Sequence, residues 1–137
     1  MGAAIENLKS AMERGMAGRP KIAGFPYLAE VLRQAGITRN IWTLPACQSM
    51  FLTTKGPVIM QASPLVTGIA DIPLFDQNAL VMAIRADQAG ESTFPEFLMA
   101  AWKAGVVSYE VDFFARVVSY YGLDKENYAE AYPEVKL

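Results

Sequence analysis

A chain of 137 residues, 53% hydrophobic and 19% charged with a formal net charge of −2, reads as one globular domain able to bury a core without disulfides or metal. It has no histidine and a single cysteine, Cys47. That excludes Ser-His and Cys-His nucleophile pairs, an internal disulfide, and most zinc and non-haem iron sites.

The first predicted element is a helix over residues 4–16. Ile5, Leu8, Met12 and Met16 recur at three- and four-residue steps, with Glu6, Lys9, Glu13 and Arg14 on the other side. Gly15 and Ala17-Gly18 are expected to end it, and Pro20 blocks continuation. A second helix opens at Gly24-Phe25-Pro26, with proline in the first turn. Phe25, Leu28, Leu32 and Ala35 form its inward stripe, and Gly36 is the left-handed residue past its end. The period then shifts to two. Residues 37–44, 49–54 and 57–61 are short β-type runs, parted by Pro45-Ala46 and Lys55-Gly56. Residues 62–75 are looser, with Pro64, Gly68 and Pro73, and leave open one further short strand over residues 66–70.

Asp76 is an N-cap for a third helix, Gln77–Gln88, carrying Leu80, Val81 and Ile84 inward. Thr93 followed by Glu96 is a capping box for a fourth, with Phe94, Phe97, Leu98, Ala101 and Trp102 as its apolar face and Ala104-Gly105 as its close. In residues 107–113, Val107, Tyr109, Val111 and Phe113 alternate with Ser108, Glu110 and Asp112. Strands over residues 116–121 and 128–132 follow, and Pro133 ends the last.

A constant shift of 69 residues lays Phe25-Pro26 on Phe94-Pro95, Ala35-Gly36 on Ala104-Gly105, Ala46 on Ala115 and Pro64 on Pro133. These coincidences fall at helix starts, helix ends and strand ends, where Gly and Pro carry backbone geometry. The expected fold is therefore α+β: two pseudo-symmetric ααβββ halves, about residues 4–64 and 76–133, within a single domain spanning 1–137. Antiparallel sheet packs against helices, and a cleft between the halves is the default place for a ligand.

Low charge, seven Met and fifteen aromatics (two Trp, six Tyr, seven Phe) leave more apolar surface than a small monomer hides, which predicts a homo-oligomer, a dimer being the simplest. Residues 1–16 lack an uninterrupted apolar h-region, and no stretch approaches the roughly 20 apolar residues of a membrane span. The expectation is a cytoplasmic protein with no membrane partner. Arg14, Arg19 and Lys21 cluster near the end of the first helix. They read as cations favouring a helix C-terminus, too sparse for a nucleic-acid footprint.

The second half carries a family resemblance. Gly90, Ser92-Thr93-Phe94, Glu96, Ala104-Gly105-Val106, Asp112 and Ser119-Tyr120-Tyr121, at this spacing, resemble the YdfO-like family of uncharacterised bacterial and prophage-encoded proteins. The resemblance covers about residues 90–121. It implies an α+β fold, a bacterial cytoplasmic setting and a phage-derived origin. It supplies no activity, cofactor or catalytic residue.

Candidate site residues gather in the same half. Glu110 and Asp112 lie two apart on one strand, so their carboxylates share a side. A turn centred near Phe114 would set Arg116 across from Asp112 as a cross-strand ion pair. Tyr109, Tyr120, Tyr121, Tyr128 and Tyr132 fall on three strands expected to adjoin, a platform able to stack a flat ligand or a partner. Cys47 is expected to be an inert thiol, and Trp42 and Trp102 core or interface anchors. Together these residues point to a non-enzymatic module binding a small molecule or a protein, with no cofactor and no metal. The alternative is a small metal-independent enzyme using carboxylate and tyrosine acid–base chemistry.

Overall fold

The structure, a computed structural model, describes residues 2–137. In chain order the elements are α1 (Ala3–Gly18), α2 (Phe25–Gln34), β1 (Ile37–Thr43), β2 (Gln48–Thr53) and β3 (Val58–Gln61), then α3 (Gln77–Gln88), α4 (Phe94–Lys103), β4 (Ser108–Asp112), β5 (Val117–Tyr121) and β6 (Asn127–Ala131). The strands form one six-stranded sheet in the order β3-β2-β1-β4-β5-β6, antiparallel throughout. The fold is α+β.

Local chemistry accounts for the helix boundaries. Asp76 accepts the Ala79 N–H at 3.1 Å to start α3. At α4 the capping box is complete, with Thr93 Oγ1 accepting from Glu96 N and Glu96 Oε1 from Thr93 N. Gly36 and Gly105, at φ +91° and +87°, carry the chain out of α2 and α4 in the left-handed conformation that glycine adopts without strain.

Two expectations are corrected. The first helix, expected over residues 4–16, runs on to Gly18, and Gly15 lies within it rather than helping to end it. Gly15 is buried, and a Cβ there would collide with Leu28 Cδ1, so this glycine lets α1 approach α2 closely. Residues 66–70 form no strand; Leu65 and Val66 instead donate their N–H groups to the Pro45 carbonyl. That carbonyl lies in the turn between β1 and β2, and Ala62 also donates to Cys47 O there, so residues 62–66 are pinned to the turn rather than extending the sheet.

The sheet has two unlike faces. Ile37, Asn40, Trp42, Ser49, Phe51, Tyr109, Val111, Val118 and Tyr120 turn towards the helices and are buried or half-buried. A register shift between Ile37 and Arg39 is a bulge that aims both Ile37 and Asn40 inward. The opposite face carries Arg39, Ile41, Met50, Leu52, Ile59, Glu110 and Tyr121, with Met50 41% and Ile59 60% exposed. Leu8, Ile37, Leu44, Leu80, Val106 and Phe113 are essentially inaccessible, each burial contributing about 1.5–3 kcal/mol before entropy. No helix among the described residues is long and apolar enough to cross a membrane.

Helix α1 packs on α2, and α3 on α4. At the middle of the sheet β1 pairs with β4, Ile41 standing opposite Glu110. The hairpins on either side share a register: Asn40 pairs with Phe51 in one and Tyr109 with Tyr120 in the other, each residue 69 positions from its counterpart. The outer strands differ by one residue, because the connection from β5 to β6 is one longer than that from β2 to β3.

Candidate functional site

Between the two helix pairs and the inner sheet face lies a cavity of about 320 Å³, at the lower end of the range typical for small-molecule sites. Its floor follows from strand register. Trp42 pairs with Tyr109, Tyr109 with Tyr120, and Tyr120 with Tyr128. One row of four aromatic side chains therefore crosses β1, β4, β5 and β6. Trp42 and Tyr109 stack with ring centroids 6.1 Å apart; Tyr109 and Tyr120 lie 5.6 Å apart, and Tyr120 and Tyr128 6.5 Å apart. A parallel row of Phe51, Asn40, Val111, Val118 and Glu130 runs beside it.

The helices supply the walls. Met12 and Met16 of α1 with Phe25, Leu28 and Leu32 of α2 close one side. Ile84 and Asp87 of α3 with Phe94 and Phe97 of α4 close the other. Phe97 meets Tyr109 and Tyr120 edge-on, and Phe94 meets Trp42 edge-on, the offset geometry that aromatic pairs prefer. Met16, Gln88 and Phe94 are exposed and mark the mouth. There the α1–α2 loop joins the C-terminal end of α3 through the Ala23 N–H donating to Gln88 O at 2.8 Å.

The polar groups differ in how far the protein satisfies them. Asn40 donates to Ser49 Oγ at 2.6 Å and to Met50 O at 3.1 Å. Arg85 forks onto Glu130 at 2.6 and 3.0 Å, and the Tyr128 hydroxyl donates to the same carboxylate. The Arg85 hydrogen bonds hold the Glu130 carboxyl below its usual range. Tyr109 and Tyr120 have no hydrogen-bond partner for their hydroxyls among the described residues, and burial pushes both phenols up. Tyr132 packs edge-on against Phe25 and is pushed up to about 12, chiefly by burial. Asp87 is half-buried in the cavity wall, and burial raises its carboxyl, opposed in part by the charge of Arg19.

The residues singled out from sequence divide between the two faces of the sheet. Tyr109, Tyr120 and Tyr132 line the cavity, and Tyr128 extends the aromatic row. Tyr121 points to the opposite face, so the five tyrosines do not make one platform. Glu110 also lies on that outer face, ion-paired with Arg39. The expected Asp112–Arg116 pair does not form. Residues 113–116 are the turn, Asp112 stands opposite Val117, and its Oδ1 accepts from Phe114 N and Ala115 N at 3.1 and 3.0 Å. Asp112 is a turn cap, and Arg116 is a turn residue at φ +55°. Cys47 is buried, and burial pushes its thiol up, as expected of an inert one.

Sequence reasoning missed Asp87, Trp42, Phe97 and Arg19. For Asp87 a signal was present: Leu80, Ile84 and Asp87 follow the helical repeat, which sets a carboxylate on an inward stripe.

Comparison with known proteins adds kinship without an activity. A family model described as "Protein of unknown function (DUF1398)" matches residues 19–130. The chain is 49% identical over 136 residues to uncharacterized proteins of Mycobacterium bovis and of two strains of Mycobacterium tuberculosis, covering 99% of this chain and 83% of each relative.

Proposed function

The chain belongs to the DUF1398 family of proteins of unknown function, and we propose that it is a non-enzymatic binding module that takes up a small molecule between its two helix pairs and the sheet. The observation that carries this reading is the 320 Å³ cavity floored by Trp42, Tyr109 and Tyr120. A concave, aromatic site with few polar groups suits a small ligand better than a protein surface. Buried phenols that keep their protons, and a Glu130 already saturated by Arg85 and Tyr128, favour binding over proton transfer. The raised carboxyl of Asp87 is the one observation favouring the rival, a metal-independent enzyme with an acid–base carboxylate.

In the same reading the chain is one domain made by duplication of an ααβββ unit. The shared hairpin registers, the left-handed Gly36 and Gly105, and the central Ile41–Glu110 pairing support it, all at a 69-residue spacing. The apolar outer sheet face, with Met50, Leu52 and Ile59, supports a homodimer. A YdfO-like relationship over residues 90–121, with its prophage origin and cytoplasmic setting, completes the proposal.

The test is native mass spectrometry of the protein purified from its own host, beside a Val118→Trp variant that fills the cavity from the sheet floor. A retained small molecule on the wild type, absent from the variant, is the expected result. Uncomplexed mass for both, or equal retention by both, would overturn it. A retained compound that the protein converts would favour the enzyme. The same spectra report monomer or dimer.

A further inference from the structure

Arg19 in the cavity wall forms no ion pair among the described residues, and neither does Asp87, the carboxylate that the protein leaves unanswered. Among the described residues its carboxylate has neither an ion pair nor a hydrogen bond. Glu130, the other carboxylate in the wall, is taken up by Arg85 and Tyr128. Arg19 shares the cavity wall but is not in contact with Asp87; its guanidinium lies 3.9 Å from Met16 Sδ. The charge of Asp87 is felt at the Tyr109 and Tyr120 phenols, which it helps to raise, and the aromatic row of Trp42, Tyr109 and Tyr120 lines the same cavity.

We propose that the ligand of this cavity is a planar aromatic cation, its rings lying along the Trp42–Tyr109–Tyr120 row and its positive charge set against the Asp87 carboxylate. This rests on the reading of the cavity as a small-molecule site. A neutral planar ligand would cover the same floor but strip water from Asp87 and leave it unpaired, a costly arrangement. An anionic ligand would meet the unpaired Asp87 carboxylate, with Arg19 alone in its favour, since Glu130 is already neutralised by Arg85. A cation gains from the carboxylate, and its flat rings from packing against the aromatic lining. Burial disfavours the ionised form of Asp87, so a positive charge set against it also relieves that cost.

The inference is tested by calorimetric titration at pH 8 with three probes of one shape: N-methylacridinium, neutral 9-methylacridine and acridine-9-carboxylate. Each is titrated into the wild type, Asp87→Asn and Val118→Trp, with Asp87→Ser and Ile84→Phe replacing any variant that does not fold. The cation is expected to bind about tenfold or more tighter than the neutral probe. Asp87→Asn should abolish that preference while leaving the neutral probe's affinity unchanged, and Val118→Trp should lose all binding. If the neutral or anionic probe binds the wild type as tightly as the cation, or if the preference survives Asp87→Asn, the charge inference fails; loss of binding in Val118→Trp would then leave the cavity standing as a ligand site. If no probe binds, or binding is indifferent to Val118→Trp, both readings fail together.

Discussion

Cys47 and Arg116, 69 residues apart, hold the same left-handed backbone at the last position of two hairpin turns, with φ of +50° and +55°. Neither is a glycine, so each turn carries strain of order 1–2 kcal/mol that a residue without Cβ would release. At Cys47 burial of the side chain repays part of that cost. At Arg116 the side chain is half-exposed and contributes less. Arg116→Gly is therefore expected to raise stability by about 0.5–1 kcal/mol, and Arg116→Val to lower it by about 1 kcal/mol. Urea unfolding of the two variants against the wild type checks both signs.

Glu30 is a buried carboxylate on α2 that accepts two hydrogen bonds from Arg33, at 2.8 and 2.6 Å, and one from Gln34 at 2.9 Å. The Arg33 hydrogen bonds, opposed by burial, bring its pKa from an ordinary 4.5 down to about 2. The folded value lies below the unfolded one, so the contribution is complete above about 4.5 and is lost as pH falls towards about 2. Glu30→Gln is expected to cost about 1–3 kcal/mol at neutral pH. It should also flatten the acid limb of stability against pH between those two values, which denaturant titrations across that range would show. An acid limb identical to the wild type's would remove Glu30 from the account.

Tyr109 and Tyr128 belong to one aromatic row but differ at the hydroxyl. Tyr109 has no partner among the described residues, whereas Tyr128 donates to Glu130. Tyr109→Phe is expected to hold stability within about 0.5 kcal/mol of the wild type or to raise it, since nothing is lost but a buried polar group. Tyr128→Phe is expected to cost about 1 kcal/mol. Thermal unfolding of both variants distinguishes a hydroxyl reserved for a ligand from one that holds the fold.

Most of the architecture was legible because it is local. Asp76, Thr93 with Glu96, Gly36 and Gly105 act within a few residues of where they stand, and alternation through Tyr109, Val111 and Phe113 names the inner face directly. Ala17-Gly18 close α1 as expected, but Gly15 does not help to end it: it sits where α1 meets Leu28 on another helix, which a residue pattern along α1 does not contain. The tyrosines misled for a related reason. Adjacent Tyr120 and Tyr121 necessarily point to opposite faces of a strand, so one floors the cavity and the other faces outward. Arg116 was misplaced by one turn position: register depends on where the turn sits, and Asp112 fixes it by accepting from Phe114 and Ala115. The aromatic row itself joins β1 to β4, a pairing between strands separated in the chain by two strands and two helices. Trp42 enters the site only through that long-range contact.

The most direct test of the central claim, that this fold is built around a small-molecule cavity, is a crystallographic screen of the protein against aromatic fragments. The account predicts density for bound fragments between the Trp42–Tyr109–Tyr120 row and the helices, entering past Phe94 and Met16. A cavity that stays free of fragments while they bind the outer sheet face around Met50 and Ile59 would contradict it.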